Sequence, residues 1–221
     1  MVHRALGRAG VGRPLFLGWF AASAVRYDAC MKTNVLLLNG AGPVNELEDV
    51  ESALINAFVD RDCETNALTL RGMSIAPCLG CFGCWVRMPG VCVIDDDGRE
   101  VARQMIRSDV IVYLTPVVFG GYSPELKGAL DRSIGLISPL FERSHRETHH
   151  KKRYEVYPRL LGIGVRQGPN EEEAAIFEML VRRNAINLHA PRAVTRVVNP
   201  DAETPIIQDT IDNAVEEVLA G

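Results

Sequence analysis

The run VIVYLTPVVFGGYSPELKGALDR, from Val110 to Arg132, decides how this chain folds. Its first five residues, Val110–Leu114, are uninterrupted and apolar, as expected of a strand covered on both faces in a parallel sheet. Thr115-Pro116 ends that strand, because proline has no N–H to continue a central ladder. Ser123-Pro124 then opens a helix, with a capping hydroxyl followed by proline at the first helical position. Leu126, Leu130, Ile134 and Ile137 supply its apolar face. Strand, glycine-bearing turn and helix in immediate succession form the repeating unit of an α/β sheet.

The same unit recurs on either side. Asn34–Leu38 (NVLLL) is a second apolar run, broken by Asn39-Gly40-Ala41-Gly42-Pro43. Leu47, Val50, Leu54, Ala57 and Phe58 recur at helical spacing and predict an amphipathic helix over Glu46–Asp60. Glu64–Leu70 reads as a strand. Asp95-Asp96-Asp97 opens a helix, since carboxylates suit both the cap and the positive end of the dipole. Val101, Met105 and Ile106 give that helix its buried stripe. Leu160–Val165 and Ala193–Val198 are further strands, Glu171–Arg183 a further helix, and a last helix begins at Thr204-Pro205. Five strands alternating with five helices predict an open five-stranded parallel sheet with helices on both faces.

A chain of 221 residues is long enough for one domain with a sizeable core. Its net charge of −4 gives no electrostatic case for nucleic acid, and no apolar run is long enough to span a membrane. The first thirty residues differ from the rest, with Arg4, Arg8 and Arg13 ahead of the apolar Pro14–Val25. That pattern has features of a signal peptide, but Gly18 and Trp19 interrupt it and Met31-Lys32-Thr33 offers a second start. We read residues 1–30 as an over-extended start or a disordered arm, and residues 31–221 as the folded domain.

Four of the six cysteines crowd into Cys78, Cys81, Cys84 and Cys92. The C-x-x-C-x-x-C run can turn three sulfurs toward one centre, and Pro89-Gly90 supplies a bend that returns the fourth. Four cysteines so placed have the ligand logic of a cubane iron–sulfur cluster. Free or redox-active thiols, some packed as small hydrophobes, are the plain alternative. Zinc fits less well, because structural zinc sites pair two separated knuckles or use histidine. Thiols so crowded argue for a reducing, cytoplasmic setting.

In such a sheet, ligands bind beyond the carboxyl ends of the strands. The loops expected there are Asn39–Glu46, the cysteine loop, Thr115–Tyr122 and Arg166–Asn170. We expect one cleft, with the Pro116–Gly121 turn as its floor and the sulfurs on the wall beside it. The stretch Ser138–Pro158 is too long for a simple connection and holds eight Lys, Arg or His residues between Arg143 and Arg153. It reads as a lid or dimer arm, or as a solvated loop. The triple aspartate is read as a cap rather than a metal site, His145, His149 and His150 as solvated, and His189 as a strand-edge residue.

Thr115–Arg132 closely resembles the flavin-ring segment of flavodoxin-like NAD(P)H-dependent FMN reductases and iron–sulfur flavoproteins. PCLGCFGCWVRMPGVCVIDDD (Pro77–Asp97) resembles the stretch that precedes it in the same superfamily. The resemblance implies a flavodoxin-like fold, an FMN-dependent oxidoreductase fed by NAD(P)H, and a small-molecule or protein electron acceptor. It also implies a homodimer. Thr115, Pro116, Val117, Val118, Phe119, Gly120 and Gly121 would contact the flavin ring, and Cys78, Cys81, Cys84 and Cys92 would hold a 4Fe–4S cluster. The first loop departs from the family pattern, lacking its hydroxyls and arginine and bringing Glu46, Glu48 and Asp49 close. Phosphate binding there would fall to the amides of Gly40, Ala41 and Gly42 and to the Asn45 side chain. No side chain stands out as a catalytic acid or base. The rival reading is a flavin-free, cysteine-based redox sensor or metal-binding module, which the altered first loop favours and the intact Thr115–Arg132 segment opposes.

Overall fold

Apolar runs become strands wherever both faces can be covered. The computed structural model describes residues 32–43, 47–144 and 146–220, which belong to one unit, Lys32–Gly221. In chain order its elements begin with β1 (Asn34–Asn39), α1 (Glu48–Val59), β2 (Glu64–Thr69), a short α2 (Gly83–Val86) and α3 (Asp97–Arg107). β3 (Val110–Pro116) and α4 (Pro124–Arg132) follow, then β4 (Ile137–Ser144) and β5 (Glu147–Lys152). The chain closes with β6 (Arg159–Val165), α5 (Glu171–Asn187), β7 (Ala193–Val198) and α6 (Thr204–Leu219). The reading of residues 1–30, and those of Asn45, Glu46 and His145, lie outside the described residues.

The main sheet is parallel throughout, in the order β2-β1-β3-β6-β7. With β4 and β5 set aside as a separate antiparallel pair, this is the flavodoxin winding, whose ligand crevice opens between β1 and β3. Alternation along β1 separates two cores. Val35 and Leu37 face α1 and α6, while Leu36 and Leu38 face α3, α4 and α5. The central strand β3 is buried along its whole length up to Pro116.

Two expectations give way. The helix after Ser123 stops at Arg132, a 3₁₀ turn covers Ser133–Leu136, and Ile137 begins β4. The apolar spacing survives because Ile137 is still buried, but as a strand residue. Ser138–Pro158 is not a solvated loop: most of it forms the β4–β5 hairpin, anchored where the Tyr157 hydroxyl donates to the Leu136 carbonyl at 2.7 Å. His149 and His150 are held rather than solvated. The His149 ring nitrogens lie 2.9 Å from Glu147 Oε2 and 3.2 Å from Asn187 Oδ1. The His150 ring packs against Trp85 and Phe141. His189 sits just past α5 with φ +56°, and its Nε2 lies 2.7 Å from the His150 carbonyl.

Candidate functional site

The loops after β1 and β3 meet at Gly40. Its N–H donates to the Leu114 carbonyl at 2.8 Å, and a Cβ there would stand 2.7 Å from Ser123 Oγ and 2.9 Å from Leu126 Cβ. Only a glycine lets the two loops approach so closely. Asn39 is buried and builds the turn, its Oδ1 accepting from Ala41 N at 2.7 Å and its Nδ2 donating to Glu51 at 2.9 Å. The amides of Gly40 and Ala41, two of the three expected to meet a phosphate, are therefore engaged inside the protein. Glu48, Asp49 and Glu51 occupy the first turn of α1, where they satisfy the helix dipole that a phosphate would otherwise use. The positive charge comes from elsewhere. Arg71, in the 3₁₀ turn after β2, donates to the carbonyls of Gly42 at 3.1 Å and Pro43 at 2.8 Å.

The turn beyond β3 is firmly seated at its base and open at its tip. Thr115 is fully buried; its Oγ1 accepts from Ser123 N at 2.9 Å, and Ser123 Oγ in turn caps α4 by accepting from Leu126 N at 3.2 Å. Val118 and Gly121 exchange a pair of backbone hydrogen bonds. Between them Phe119 (φ +50°) and Gly120 (φ +75°) adopt left-handed backbone, which for a phenylalanine is uncommon and costs energy. Phe119 is 91% exposed. Gly120 is buried against Ile176, so the tip offers an apolar surface at Val118 and Phe119, which suits the ring of a flavin better than the first loop's amides suit its phosphate.

The cysteines stand elsewhere. Cys78, Cys81, Cys84 and Cys92 line a cleft of about 580 Å³, together with Trp85, His150, Tyr113, Tyr122 and the end of α4, and none of Gly40–Gly42 or Thr115–Gly121 reaches it. The left-handed residues Gly80 and Phe82 (φ +62° and +56°) fold the run into the short α2. The Trp85 indole then donates to the carbonyls of Ile134 and Ile137. The sulfur cleft reaches Tyr122, the residue after the turn, while none of Pro116–Gly121 itself lines it. The turn precedes the N-terminus of α4, while the sulfur loop packs against its C-terminal end. Nine residues of helix, about 13 Å, separate those ends.

Among the described residues, no set of three or more His, Cys, Asp or Glu stands close enough to hold a metal ion. The Cys84 thiol nonetheless feels the other three. Burial first, then Cys92, Cys78 and Cys81, pushes the Cys84 thiol up. Beneath them Arg132, with a fully buried side chain, forms a two-pronged ion pair with Asp96, both N–O distances being 2.7 Å. The Arg132 hydrogen bonds foremost hold the Asp96 carboxyl below the usual carboxylate range. Among the described residues Arg132 Nε has no hydrogen-bond partner. Four thiols around one cleft, with a buried cationic N–H donor among them, have the donor chemistry that a thiolate-bound cluster requires.

Sequence reading missed Arg71 and the Arg132–Asp96 pair. Asp96 does cap α3, accepting from Gly98 N at 3.0 Å, but capping is half of what it does. Arg132 was detectable, since it continues the buried face Leu126, Ala129, Arg132 at a spacing of three.

Comparison with known proteins gives the fold and the family. An iron-sulfur flavoprotein of Methanocaldococcus jannaschii is 38% identical over 79 residues, 36% of this chain and 40% of that protein. An iron-sulfur flavoprotein of Methanosarcina thermophila is 34% identical over 87 residues, 39% of this chain and 44% of that protein. The chain spans less than half the length of each of these relatives. Among solved structures, an NAD(P)H:quinone oxidoreductase from Methanothermobacter marburgensis superposes with a TM-score of 0.61 at 12% identity, covering 83% of this chain and 97% of that one. An FMN-dependent NADH-azoreductase from Bacillus anthracis, in complex with FMN, gives 0.57 at 10% identity, covering 85% and 97%. These likenesses establish the shared flavodoxin-like fold. The profile of the NADPH-dependent FMN reductases matches residues 35–153. With more than half of the chain matched, on a sheet of that winding, this protein belongs to the NADPH-dependent FMN reductase family.

Proposed function

We propose that this protein is an FMN-dependent oxidoreductase that takes electrons from NAD(P)H and passes them to a small-molecule or protein acceptor. The observation that carries the reading is the apolar turn Val118–Gly121, exposed at Val118 and Phe119 and standing beyond β3 at the switch point of the sheet. Bound FMN would supply hydride acceptance and single-electron transfer. Thr115 and Pro116 fix the base of the turn, and Val117, Val118, Phe119, Gly120 and Gly121 offer the ring its surface. Gly40 and Ala41 form the floor of the first loop. Gly42, Asn45 and Arg71 meet the phosphate.

The sulfur loop supports a second cofactor in the same protein. Cys78, Cys81, Cys84 and Cys92 would hold a 4Fe–4S cluster, whose chemistry is single-electron transfer. Their shared cleft and the buried Arg132 donor support this reading. The protein acts as a cytoplasmic homodimer; exposed Leu140 and Phe141 on the hairpin favour that arm as a contact. Among the described residues no helix is long and apolar enough to cross a membrane.

Anaerobic purification followed by a visible spectrum and an NAD(P)H oxidation assay tests the reading. Flavin absorbance, with NAD(P)H consumed only when FMN is present, is expected. Colourless protein that neither binds added FMN nor oxidises NAD(P)H would overturn it.

A further inference from the structure

The guanidinium of Arg132 touches both ends of the sulfur loop. One terminal nitrogen donates to the Ala76 carbonyl at 2.6 Å, two residues before Cys78, and the other to the Ile94 carbonyl at 3.3 Å, two residues after Cys92. Asp96, its ion-pair partner, reaches the same two strands of chain, accepting from Ala76 N at 2.9 Å. Gly98 leaves room for the fork: a Cβ there would lie 3.2 Å from Arg132 Cζ. With every terminal N–H direction used, Nε remains, buried and with no hydrogen-bond partner among the described residues. Neutralising Asp96 alone would need only a point charge, which lysine supplies. Holding two carbonyls and a carboxylate at once requires the planar fork of arginine.

We infer that Arg132 is a positioning residue for the sulfur loop: its guanidinium clamps the two ends of the Cys78–Cys92 segment together. As far as iron is concerned, this inference rests on the cluster reading above. The clamp itself does not, because the hydrogen bonds that make it involve only this chain. The turn at Thr115–Gly121 lies outside its reach, so loosening the clamp leaves the flavin end of α4 unchanged.

Two variants separate the clamp from mere charge balance. In the reduced chain, Arg132→Met is expected to lower the unfolding temperature and to speed amide exchange across residues 77–95. Arg132→Lys should recover most of the thermal stability, since it restores a cation beside Asp96. It should still leave exchange over residues 77–95 about ten-fold faster than wild type, with residues 116–122 unaltered, because a lysine cannot bridge both loop ends. If lysine restores exchange protection along with stability, or if exchange rises equally in both segments, the clamp is refuted. Reconstitution with iron and sulfide gives the second readout. Wild type should retain iron against a chelator about ten-fold better than Arg132→Lys, the usual scale for losing a group that supports a ligand. Equal retention would refute a role for the clamp in holding a cluster. Wild-type chain that takes up no iron would sink the cluster reading, and the exchange contrast would then decide the clamp alone.

Discussion

The two ends of α4 are fastened by opposite means. At the N-terminal end a chain of neutral hydrogen bonds runs from Thr115 through Ser123 to Leu126, spanning groups close in sequence. At the C-terminal end a buried charge pair joins residues 36 positions apart. The neutral end leaves its turn exposed and open to a ligand, while the charged end binds a long, glycine-rich segment that has little core of its own. The difference teaches that local capping suffices to present a turn. An irregular loop carrying four sulfurs needs a long-range tie.

The comparison is broken most severely at the charged end. Asp96→Asn leaves Arg132 buried without a counter-charge and should cost about 3–5 kcal/mol in a denaturant titration at neutral pH. The same pair predicts an acid limb. Because the Asp96 carboxyl is held below its ordinary value of 3.8, chiefly by the Arg132 hydrogen bonds, its stabilisation is complete well above that value and is lost as pH falls past it toward the lower value of the folded chain. Wild type should therefore lose more stability than Asp96→Asn on acidification below about pH 5.

At the neutral end the effects are smaller. Gly40→Ala drives a Cβ to 2.7 Å from Ser123 Oγ and should cost about 1–3 kcal/mol through overpacking, with weaker FMN binding measured by fluorescence quenching. Ser123→Ala removes the α4 cap and should cost about 1 kcal/mol. Arg71→Ala should change stability by less than about 0.5 kcal/mol, being exposed. It should nevertheless weaken FMN more than riboflavin, which lacks the phosphate; equal losses for both would remove Arg71 from the phosphate site.

Much of the fold was legible because its signals are local. The apolar runs of β1, β3 and β6 stand where the sequence places them, β7 follows despite Thr195 and Arg196, and Ser123-Pro124 opens α4 as its types dictate. The β4–β5 hairpin was not legible. Pro139 interrupts β4, β5 (ETHHKK) has no apolar alternation, and the strands are organised by partners far away, such as Asn187 for His149 and Trp85 for His150. The site divides in the same way. The glycine-bearing turn and the cysteine spacing could be read directly. That they stand at opposite ends of one helix could not, because the placement depends on Trp85 reaching Ile134 and Ile137 and on Arg132 reaching Ala76.

Separate sites at the two ends of α4 make one decisive demand. FMN is titrated by fluorescence quenching into wild-type protein and into Cys84→Ser, side by side under anaerobic conditions. Equal stoichiometry and equal affinity in both are predicted, with any iron lost only from the variant. Flavin binding that disappears when Cys84 is replaced would contradict the account.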